Sequence, residues 1–493
     1  MKHSLGSLLV GLGSLESESA SLEVTGVTAD SRRVRAGDLF VAVRGHAVDG
    51  HSYLTTAIES GARAVVVEDA SLVPDGIPTL VVASTRDAFG SILRRFHDHP
   101  DRSLDVVAVT GTNGKTTVGH LVRDLLNAVD RRCGLVGTIR YDDLREDVPA
   151  PLTTPGAEDL IALLATMRAN GGVAVSMEAS SHALDQRRLG GIEVDVAAFT
   201  NITRDHLDYH GDHEAYVAAK RRLLDHLTGD DRVKDTGRVV VLVDDPVLAG
   251  LDWPKGAITV GRDPSCTVHV HGVEFESGTT TLEVTVGGAR ARFESALVGG
   301  YNAANLSVVI GVGHALGLDV DTMVDVFPRL RPVPGRLEPV ELEGGPLVLI
   351  DYAHTADGMR SALEAVAPLT RGTVHLVFGC GGDRDRGKRP EMARAALEGA
   401  GRIVFTVDNP RTEDPEQIFA DTAVGFAAAP DRVHRVDDRG AALADVLEAA
   451  SPGDVVLVAG KGHETYQIFG TEKTPWDDRI AIREAWARIG GAA

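Results

Sequence analysis

The stretch LDVVAVTGTNGKTTVGHLVRDLLNAV, Leu104 to Val129, joins an apolar run to a helical pattern through a glycine-rich turn. A strand, such a turn and a helix form a phosphate cradle, because turn N–H groups and the helix N-terminus face the anion. In the turn, Lys115 is expected to reach the β- and γ-phosphates and Thr116 to hold Mg²⁺. The usual pattern has glycine at the position of Val109, so the turn is a shortened variant. An ordinary tight turn with a helix-capping threonine is the alternative.

Composition indicates a globular protein of about three domains, at ~150 residues each. The chain has 493 residues, 43% hydrophobic and 25% charged, with a net charge of -21. That charge argues against nucleic-acid binding as the main role. Cys133, Cys266 and Cys380 show no metal spacing, which is typical of a reducing cytosol. We interpret MKHSLGSLLVGLGSLESESA as the amphipathic start of a domain, and no stretch approaches the ~20 apolar residues of a membrane span.

Two breaks predict three domains. Residues 97–103 (HDHPDRS) are polar and contain proline, and residues 328–339 (PRLRPVPGRLEP) are rich in Pro and Arg. We therefore predict an α/β fold. It comprises a small α/β N-terminal domain at 1–103, a central P-loop domain with a parallel sheet at 104–331, and a Rossmann-like C-terminal domain at 332–493.

Apolar runs predict the strands. CGLVGTI, GVAVSME, VDVAAFTNI and RVVVLVDD alternate with helical patterns and indicate a parallel sheet covered on both faces. Residues 266–298 alternate in polarity and predict an antiparallel appendage. A second series, PLVLIDYAH, TVHLVFGCGG, RIVFTVDNP, VHRVDD and DVVLVAGKG, predicts another doubly wound sheet. Its motifs DYAH, GCGGDRDRGKR, DNPR and GKGHE stand at carboxyl ends of strands, where such sheets bind ligands.

Two motifs of the central domain follow strands, MEASSHAL and FTNITRDHLDYHG. They bring Glu178, His206 and Asp208 to the sheet edge that carries the glycine-rich turn. A carboxylate and an imidazole there suggest a second cation site, for which His206 is an unusual but feasible ligand. A hydrogen-bonded polar cluster is the alternative. Taken singly, His182 and His210 are interpreted as structural.

Lys220 lies in the helical pattern EAYVAAKRRLL. A helix lysine is ordinarily a solvated surface charge. Burial beside a cation pair would lower its pKa, and the neutral amine could then react with CO₂ to form a carbamate, which is an oxygen ligand. The sequence leaves both interpretations open.

A set of motifs spans the whole chain in a fixed order: GTNGKTT, LTTPGA, MEASSHALDQRRL, FTNITRDHLDYHG, PVPGRLEP, DYAHTADG, FGCGGDRDRGKRP, DNPRTEDP and GKGHETYQI. This set strongly resembles the Mur ligases, and the shortened turn fits that family as well. The resemblance covers all three predicted domains.

The resemblance implies ATP-dependent amide synthesis for peptidoglycan precursors in the cytoplasm. The γ-phosphate would pass to the terminal carboxylate of UDP-N-acetylmuramoyl-L-alanyl-D-glutamate, giving an acyl phosphate and ADP. The amine of meso-diaminopimelate would then displace phosphate. The resemblance also implies Mg²⁺, as two ions. We further expect a monomer with no nucleic-acid partner and no membrane insertion.

Site residues follow from the same resemblance. The ATP-facing positions are Gly111, Thr112, Asn113, Gly114, Lys115, Thr116, Thr117, Asn302, Asn305, Arg336, Asp351 and His354. The metal ligands are Thr116, Glu178, His206 and a carbamylated Lys220, and the catalytic set is Lys115, Glu178, His206 and Lys220. The positions that match the UDP-muramoyl-dipeptide site are Ser31, His46, Thr153, Thr154, Ser180, Gln186 and Arg188.

The diaminopimelate positions implied by the resemblance are Arg384, Asp408, Asn409, Pro410, Arg411, Gly460 and Glu464. Diaminopimelate carries a second carboxylate where lysine carries only an ammonium. An Arg411 fork can pair bidentately with that carboxylate, and Glu464 would take the ammonium. Alternatively, Arg411 merely caps the turn after Pro410. The family's MEVSSH and DYAHTPD have Ala179 and Ala356 here, beside ligand positions rather than at them.

Two other functions remain as alternatives. One is a related ligase with another acceptor, of the lysine-adding or folylpolyglutamate type, against which the DNPR motif argues. The other is a nucleotide-binding paralogue that senses muropeptides without catalysis. Such a protein would be expected to lack Lys115, Glu178 or His206, and all three are present.

Overall fold

The computed structural model describes residues 2–13, 17–45, 48–228, 232–276 and 278–490. The chain divides into two compact units. The first comprises Met1–Val241 and Gly250–Ile258, and the second comprises Leu242–Ala249 and Thr259–Ala493. Each is described separately.

The first unit alternates strands and helices. Its strands are β1 (His3–Ser4), β2 (Glu23–Val24), β3 (Val27–Thr28), β4 (Leu39–Val41), β5 (Ala64–Val67), β6 (Thr79–Val81), β7 (Asp105–Thr110), β8 (Cys133–Val136), β9 (Arg140–Asp142), β10 (Asp147–Pro149), β11 (Ala174–Glu178), β12 (Val196–Phe199) and β13 (Arg238–Leu242). Its helices are α1 (Leu5–Leu9), α2 (Ser17–Ala20), α3 (Leu54–Glu59), α4 (Thr85–Phe96), α5 (Lys115–Ala128), α6 (Ala157–Ala169), α7 (Ser181–Asp185), α8 (Leu207–His210) and α9 (His213–Arg221).

A small parallel sheet, in the order β3-β4-β5-β6, forms the N-terminal part of this unit. Phe40, Leu54 and Val65 belong to the cluster of buried residues beside it. The polar segment 97–103 is itself packed, since Asp101 is buried and its carboxylate pairs with Arg94.

The larger sheet of the first unit has the order β10-β9-β8-β11-β7-β12-β13. The neighbouring strands β8, β11, β7, β12 and β13 pair in parallel, as predicted, because helices lie in the connections between them, whereas β9 pairs antiparallel with β8 and with β10. Glu178 pairs with Val109 and Phe199 pairs with Thr110, so the carboxyl ends of β7, β11 and β12 share one edge. That edge carries the glycine-rich turn.

The second unit begins with the predicted appendage. Its elements are α10 (Pro246–Ala249), β14 (Ile258–Gly261), β15 (Val268–Glu276), β16 (Thr279–Val286), β17 (Ala289–Ser295), α11 (Gly300–Ala315) and α12 (Val320–Val326). β15, β16 and β17 pair antiparallel, which confirms the alternating pattern.

The remainder of the second unit is a doubly wound sheet. Its elements are β18 (Arg336–Val340), β19 (Leu347–Asp351), α13 (Ala356–Val366), β20 (Val374–Phe378), α14 (Lys388–Gly399), β21 (Arg402–Phe405), α15 (Pro415–Ala423), β22 (Val433–Arg435), α16 (Arg439–Ala449), β23 (Val455–Ala459), β24 (Tyr466–Phe469), β25 (Glu472–Pro475) and α17 (Asp478–Arg488). The strand order of the doubly wound sheet is β18-β19-β23-β20-β21-β22, and β24 and β25 form a separate antiparallel pair. Buried apolar clusters lie on both faces, with Met359 and Met392 on one and Leu443 and Ile482 on the other.

One stretch differs from the prediction. At the end of the Pro- and Arg-rich break, residues 336–340 form β18, which pairs antiparallel with β19. Pro339 is tolerated because β18 is an edge strand, where one side of the ladder needs no donor. No helix in the described part of the chain is long and apolar enough to cross a membrane.

Candidate active-site regions

The glycine-rich turn is fixed by neighbouring backbone. Asn201 accepts from the amide of Thr112 through its carbonyl, at 2.8 Å, and from the amide of Asn113 through its side chain, at 2.9 Å. A Cβ on Gly111 would lie 1.9 Å from Thr200 Oγ1, so a side chain there would force the turn open. α5 starts at Lys115 directly after Gly114, whose φ of 85° suits glycine. The structure thus builds a strand, a tight turn and a helix, as predicted.

Lys115 and Lys220 meet at this turn. Lys115 Nζ donates to the carbonyls of Gly111 and Thr112, both at 2.8 Å, and Lys220 Nζ donates to Gly111 O at 2.7 Å. Lys220 is only 1% exposed and lies over the ring of Tyr216. Burial, and then the charge of Lys115, hold the pKa of Lys220 well below its ordinary value. Lys220 is therefore a buried amine that loses its proton more easily than a solvated surface lysine.

Glu178 lies at the centre of an oxygen-rich cluster. Its carboxylate accepts from Thr116 Oγ1 at 3.1 Å, from the amide of Thr138 at 2.7 Å and from Thr138 Oγ1 at 3.0 Å. Glu178 is 1% exposed. A buried carboxylate and two hydroxyls are ligands that a hard cation such as Mg²⁺ prefers.

His206 is the more exposed of the predicted metal ligands. It has a φ of 52°, and its Nε2 lies 3.4 Å from Asp205 Oδ2. Within the described ranges, no group of three or more His, Cys, Asp or Glu side chains could hold a metal. Glu178 and His206 would contribute one carboxylate and one imidazole to a metal site. A third protein ligand would have to be a group other than His, Cys, Asp or Glu. Their role as metal ligands stays a prediction.

His206 lies beside a group of aromatic side chains that includes His182, Tyr209 and His210. Its ring and that of His182 are 4.8 Å apart, and His182 stacks on Tyr209 at 4.1 Å. Burial lowers the pKa of His182 to about 4, so this imidazole is neutral at physiological pH. His210 Nε2 lies 3.0 Å from Ser181 Oγ. Asp208 falls in the first turn of the short helix α8.

Five of the predicted muramoyl-dipeptide residues form one hydrogen-bonded cluster in the first unit. Its bonds run from Thr153 Oγ1 to Thr138 Oγ1 (3.1 Å), from Thr154 Oγ1 to Glu178 O (2.7 Å), from the Ser180 amide to Thr154 Oγ1 (3.2 Å), from Arg188 Nη1 to Thr154 O (3.0 Å) and from Arg188 Nη2 to Gln186 Oε1 (2.7 Å). The cluster adjoins the Glu178 carboxylate. The N-terminal Ser31 is buried in the turn after β3. His46, the other uridine-side prediction, lies outside the described residues.

In the second unit, Asp351 organises the remaining ATP-facing positions. Tyr301 Oη donates to Asp351 Oδ2 at 2.6 Å, and the amide of Leu337 donates to the same oxygen at 2.9 Å. Burial raises the pKa of Asp351, which nearby Arg336 partly offsets. The guanidinium of Arg336 lies 5.1 Å from the centre of the Tyr352 ring.

The other ATP-facing residues of this unit lie in two places. Asn302 and Asn305 are buried in α11, where Asn305 Nδ2 donates to Asn302 Oδ1 at 3.4 Å. His354 follows β19, with its Nδ1 2.8 Å from the carbonyl oxygen of Tyr352.

The predicted diaminopimelate residues converge on adjacent strand-end loops. Asn409 Nδ2 donates to Glu464 Oε2 at 2.8 Å, and Arg411 Nη1 donates to Gly382 O at 2.9 Å. A Cβ on Gly460 would lie 3.5 Å from Asp408 Oδ2. Burial, then the charge of Asp408, raise the pKa of Glu464.

Two further residues of that set sit on the same loops. A Cβ added to Gly382 would lie 1.8 Å from the carbonyl oxygen of Pro410, so the two loops are in close contact. Arg384 and Arg411 both lie close to Gly381. A Cβ added to Gly381 would lie 3.1 Å from Arg411 Nη1 and 3.9 Å from Arg384 Cγ, so Arg384 belongs to the same region.

Sequence reasoning missed several residues at these places. Thr138, Tyr301, Arg389 and Lys461 contact predicted site residues or their loops. Thr138 could have been found, since it follows the end of β8, a predicted strand. Tyr301 stands beside the predicted Asn302. Arg389 and Lys461 stand in quoted motifs, but only the fold shows that they are buried.

Comparison with known proteins identifies the class of enzyme. The "Mur ligase family, catalytic domain" matches residues 23–97, the "Mur ligase middle domain" 109–313 and the "Mur ligase, glutamate ligase domain" 335–462. The chain therefore belongs to the Mur ligase family, whose members catalyse ATP-dependent amide formation.

Particular relatives are similar over nearly the full length. The chain is 41% identical to the UDP-N-acetylmuramoyl-L-alanyl-D-glutamate--2,6-diaminopimelate ligase of Geobacter metallireducens, covering 96% of each chain. It is 43% identical to the like-named protein of Synechococcus elongatus, also over 96% of each. A solved structure of a ligase with that name matches with a TM-score of 0.72 and 32% identity, covering 99% of each chain.

Proposed function

We propose that this chain joins meso-diaminopimelate to UDP-N-acetylmuramoyl-L-alanyl-D-glutamate at the expense of ATP, in the cytoplasm, as a monomer. The observation that supports this acceptor is the pairing of Asn409 with Glu464 beside Arg411. Amide and guanidinium donors suit a carboxylate, and Glu464 suits an ammonium, which are the two groups at the distal end of diaminopimelate. The names of the relatives agree with this acceptor.

The proposed chemistry has two steps. A carboxylate oxygen of the muramoyl dipeptide attacks the γ-phosphorus, and the bond to the β-phosphate oxygen breaks, releasing ADP. The amine of the amino acid then attacks the acyl-phosphate carbon, phosphate leaves with the electrons of the C–O bond, and the amine loses a proton. Positioning and charge neutralisation carry most of the catalysis, since the chemistry itself needs no protein nucleophile.

The chain's own groups have distinct tasks in this scheme. The glycine-rich turn and the N-terminus of α5, with Lys115, cradle the transferring phosphate. The hydrogen-bonded cluster of Thr154, Gln186 and Arg188 orients the dipeptide.

Mg²⁺ fits the residues present. Thr116 and Glu178 would hold one ion, and Glu178, His206 and a carbamate on Lys220 a second. Bound there, the ions would neutralise phosphate charge. The buried oxygen cluster around Glu178 and the depressed pKa of Lys220 support this assignment.

We also propose the division of labour among domains given by the sequence. Residues 1–103 would bind the UDP-muramoyl portion, 104–331 ATP, and 332–493 the amino acid.

ADP release measured with each substrate omitted in turn tests the proposal. We expect ADP only when ATP, the muramoyl dipeptide and meso-diaminopimelate are all present, and a strong preference for diaminopimelate over lysine or glutamate. Preference for lysine would favour the related ligase. ADP release without an amino-acid requirement, or none at all, would favour a protein that binds nucleotide without ligating.

A further inference from the structure

Lys461, in the GKGHE motif, has an ammonium group that is completely enclosed. Its side chain is 0% exposed, and Nζ donates to Asn409 Oδ1 at 3.0 Å and to the carbonyl of Tyr466 at 2.8 Å. Nζ also lies 3.2 Å from Asp408 Oδ1 and 3.8 Å from Glu464 Oε2. A buried lysine needs such partners, because an ammonium without acceptors is costly to bury.

The contacts of Asn409 fix which way its side-chain amide points. Asn409 Oδ1 accepts hydrogen bonds from Lys461 Nζ and from the backbone amide of Ile468, each at 3.0 Å. Both groups can only donate, so the atom between them must be oxygen. Nδ2 therefore points the other way, toward Glu464 Oε2 at 2.8 Å.

We propose that Lys461 is a positioning residue that holds the Asn409 amide with its NH₂ group toward the acceptor pocket, where it donates to the distal carboxylate of the amino acid. This inference rests on the proposed function. The reversed amide would put an oxygen against Glu464 and against the ligand carboxylate, which are both acceptors. Ile468 provides one donor that opposes reversal, and Lys461 provides the second, charge-assisted one.

The same geometry makes Lys461 a determinant of specificity. An amino acid with a distal carboxylate needs a donor at Asn409, whereas lysine has no group that uses it. Loss of Lys461 should therefore weaken the use of diaminopimelate more than the use of lysine.

The experiment compares Lys461→Met, which keeps the length and removes the donor, with Lys461→Arg, which keeps donors and charge. For Lys461→Met we expect the KM for diaminopimelate to rise by about 10-fold or more, as for a lost charge-assisted hydrogen bond. The KM for ATP should stay within about twofold, kcat/KM with lysine should fall less than kcat/KM with diaminopimelate, and Lys461→Arg should recover part of the loss. Equal losses with both amino acids would mean that Lys461 only stabilises the fold.

A double-mutant cycle with Asn409→Ala separates direct from indirect action. If Lys461 acts through Asn409, Lys461→Met should add little to the KM for diaminopimelate in the Asn409→Ala background. Full additivity would refute the inference while leaving the proposed function intact. A wild-type protein without diaminopimelate-dependent ADP release would instead refute the proposed function.

Neutron diffraction from crystals of the wild-type protein provides a test that needs no variant to fold. After deuteration, we expect scattering from deuterium on the Asn409 atom that faces Glu464, and from Lys461 deuterium toward the opposite atom. Deuterium on the Asn409 atom that faces Lys461 would overturn the inference, whether or not the crystal contains the amino acid.

Discussion

Lys115 and Lys220 share one acceptor, the carbonyl oxygen of Gly111, at 2.8 Å and 2.7 Å. Two ammonium groups so placed repel each other, and the charge of Lys115 contributes to the lowered pKa of Lys220. The lysine of the phosphate-binding turn and the buried lysine of α9 are therefore coupled electrostatically.

Replacing Lys115 should abolish phosphate transfer while sparing the fold. For Lys115→Met we expect kcat/KM for ATP to fall by ~100-fold or more, as when a preorganised charge that stabilises the transition state is removed. The melting temperature should stay near the wild-type value, because methionine keeps the apolar part of the side chain. Steady-state ADP release and calorimetry measure the two effects. Lys255→Met, at an exposed lysine, is the matched control and should change neither.

Lys220 should react with CO₂ where a surface lysine does not. Carbamate formation needs the neutral amine, which is populated above the lowered folded-state pKa of Lys220. With ¹³C-bicarbonate, we expect a carbamate ¹³C NMR signal above the lowered pKa that disappears as the pH falls through that pKa. Lys220→Met should lack the signal, and a signal of equal size in that variant would assign the carbamate to another amine.

The same signal reports the coupling between the two lysines. Lys115→Met removes a charge that lowers the pKa of Lys220, so the pKa of Lys220 should rise. The pH at which the carbamate signal is half-developed should then shift upward. A downward shift would contradict the proximity of the two ammonium groups.

Arg411 should matter for the amino acid and not for ATP. Its guanidinium donates to Gly382 O at 2.9 Å, which fixes it on the loops that carry Asn409 and Arg384. For Arg411→Ala we expect the KM for diaminopimelate to rise by about 10- to 100-fold, in line with loss of a charge-assisted pair, and the KM for ATP to change little. An unchanged KM for diaminopimelate in steady-state assays would favour the alternative in which Arg411 caps a turn.

Much of this fold follows from local pattern. Apolar runs such as GVAVSME become buried parallel strands, and the alternation after Cys266 becomes an antiparallel sheet, because side-chain periodicity and burial are local signals. β18 was not predicted, because a proline such as Pro339 indicates a break in a strand unless the strand is known to lie at the edge of a sheet.

The predicted site residues illustrate the limit of such signals. Thr154, Gln186 and Arg188 stand in short motifs, and the structure joins them by direct bonds. Lys461 and Arg389 look like ordinary charged residues in the sequence. Their importance depends on burial, which is set by contacts between segments far apart in the chain.

Arg389 should be a main support of the loops in the acceptor region. Its side chain is 0% exposed and donates to Glu413 Oε1 and Asp421 Oδ2, each at 2.7 Å. Arg389→Met would leave the Glu413 carboxylate without its principal partner, at a cost on the order of 3 kcal/mol. For a unit of this size we expect the melting temperature to fall by on the order of 6 °C. Arg386→Met is the matched control, since Arg386 is 55% exposed yet pairs with Asp421, and it should cost less than about 1 kcal/mol.

The effect of Arg389 should depend on pH. The hydrogen bond from Arg389 lowers the pKa of Glu413 to about 2, below its usual ~4 in an unfolded chain. Because the folded-state pKa is depressed, the stabilisation is complete above about pH 5 and is lost as the pH falls toward 2. The difference in melting temperature between wild type and Arg389→Met should therefore shrink over that range in calorimetry. A difference that stays constant from pH 7 to pH 3 would show that Arg389 stabilises the loops by packing rather than through Glu413.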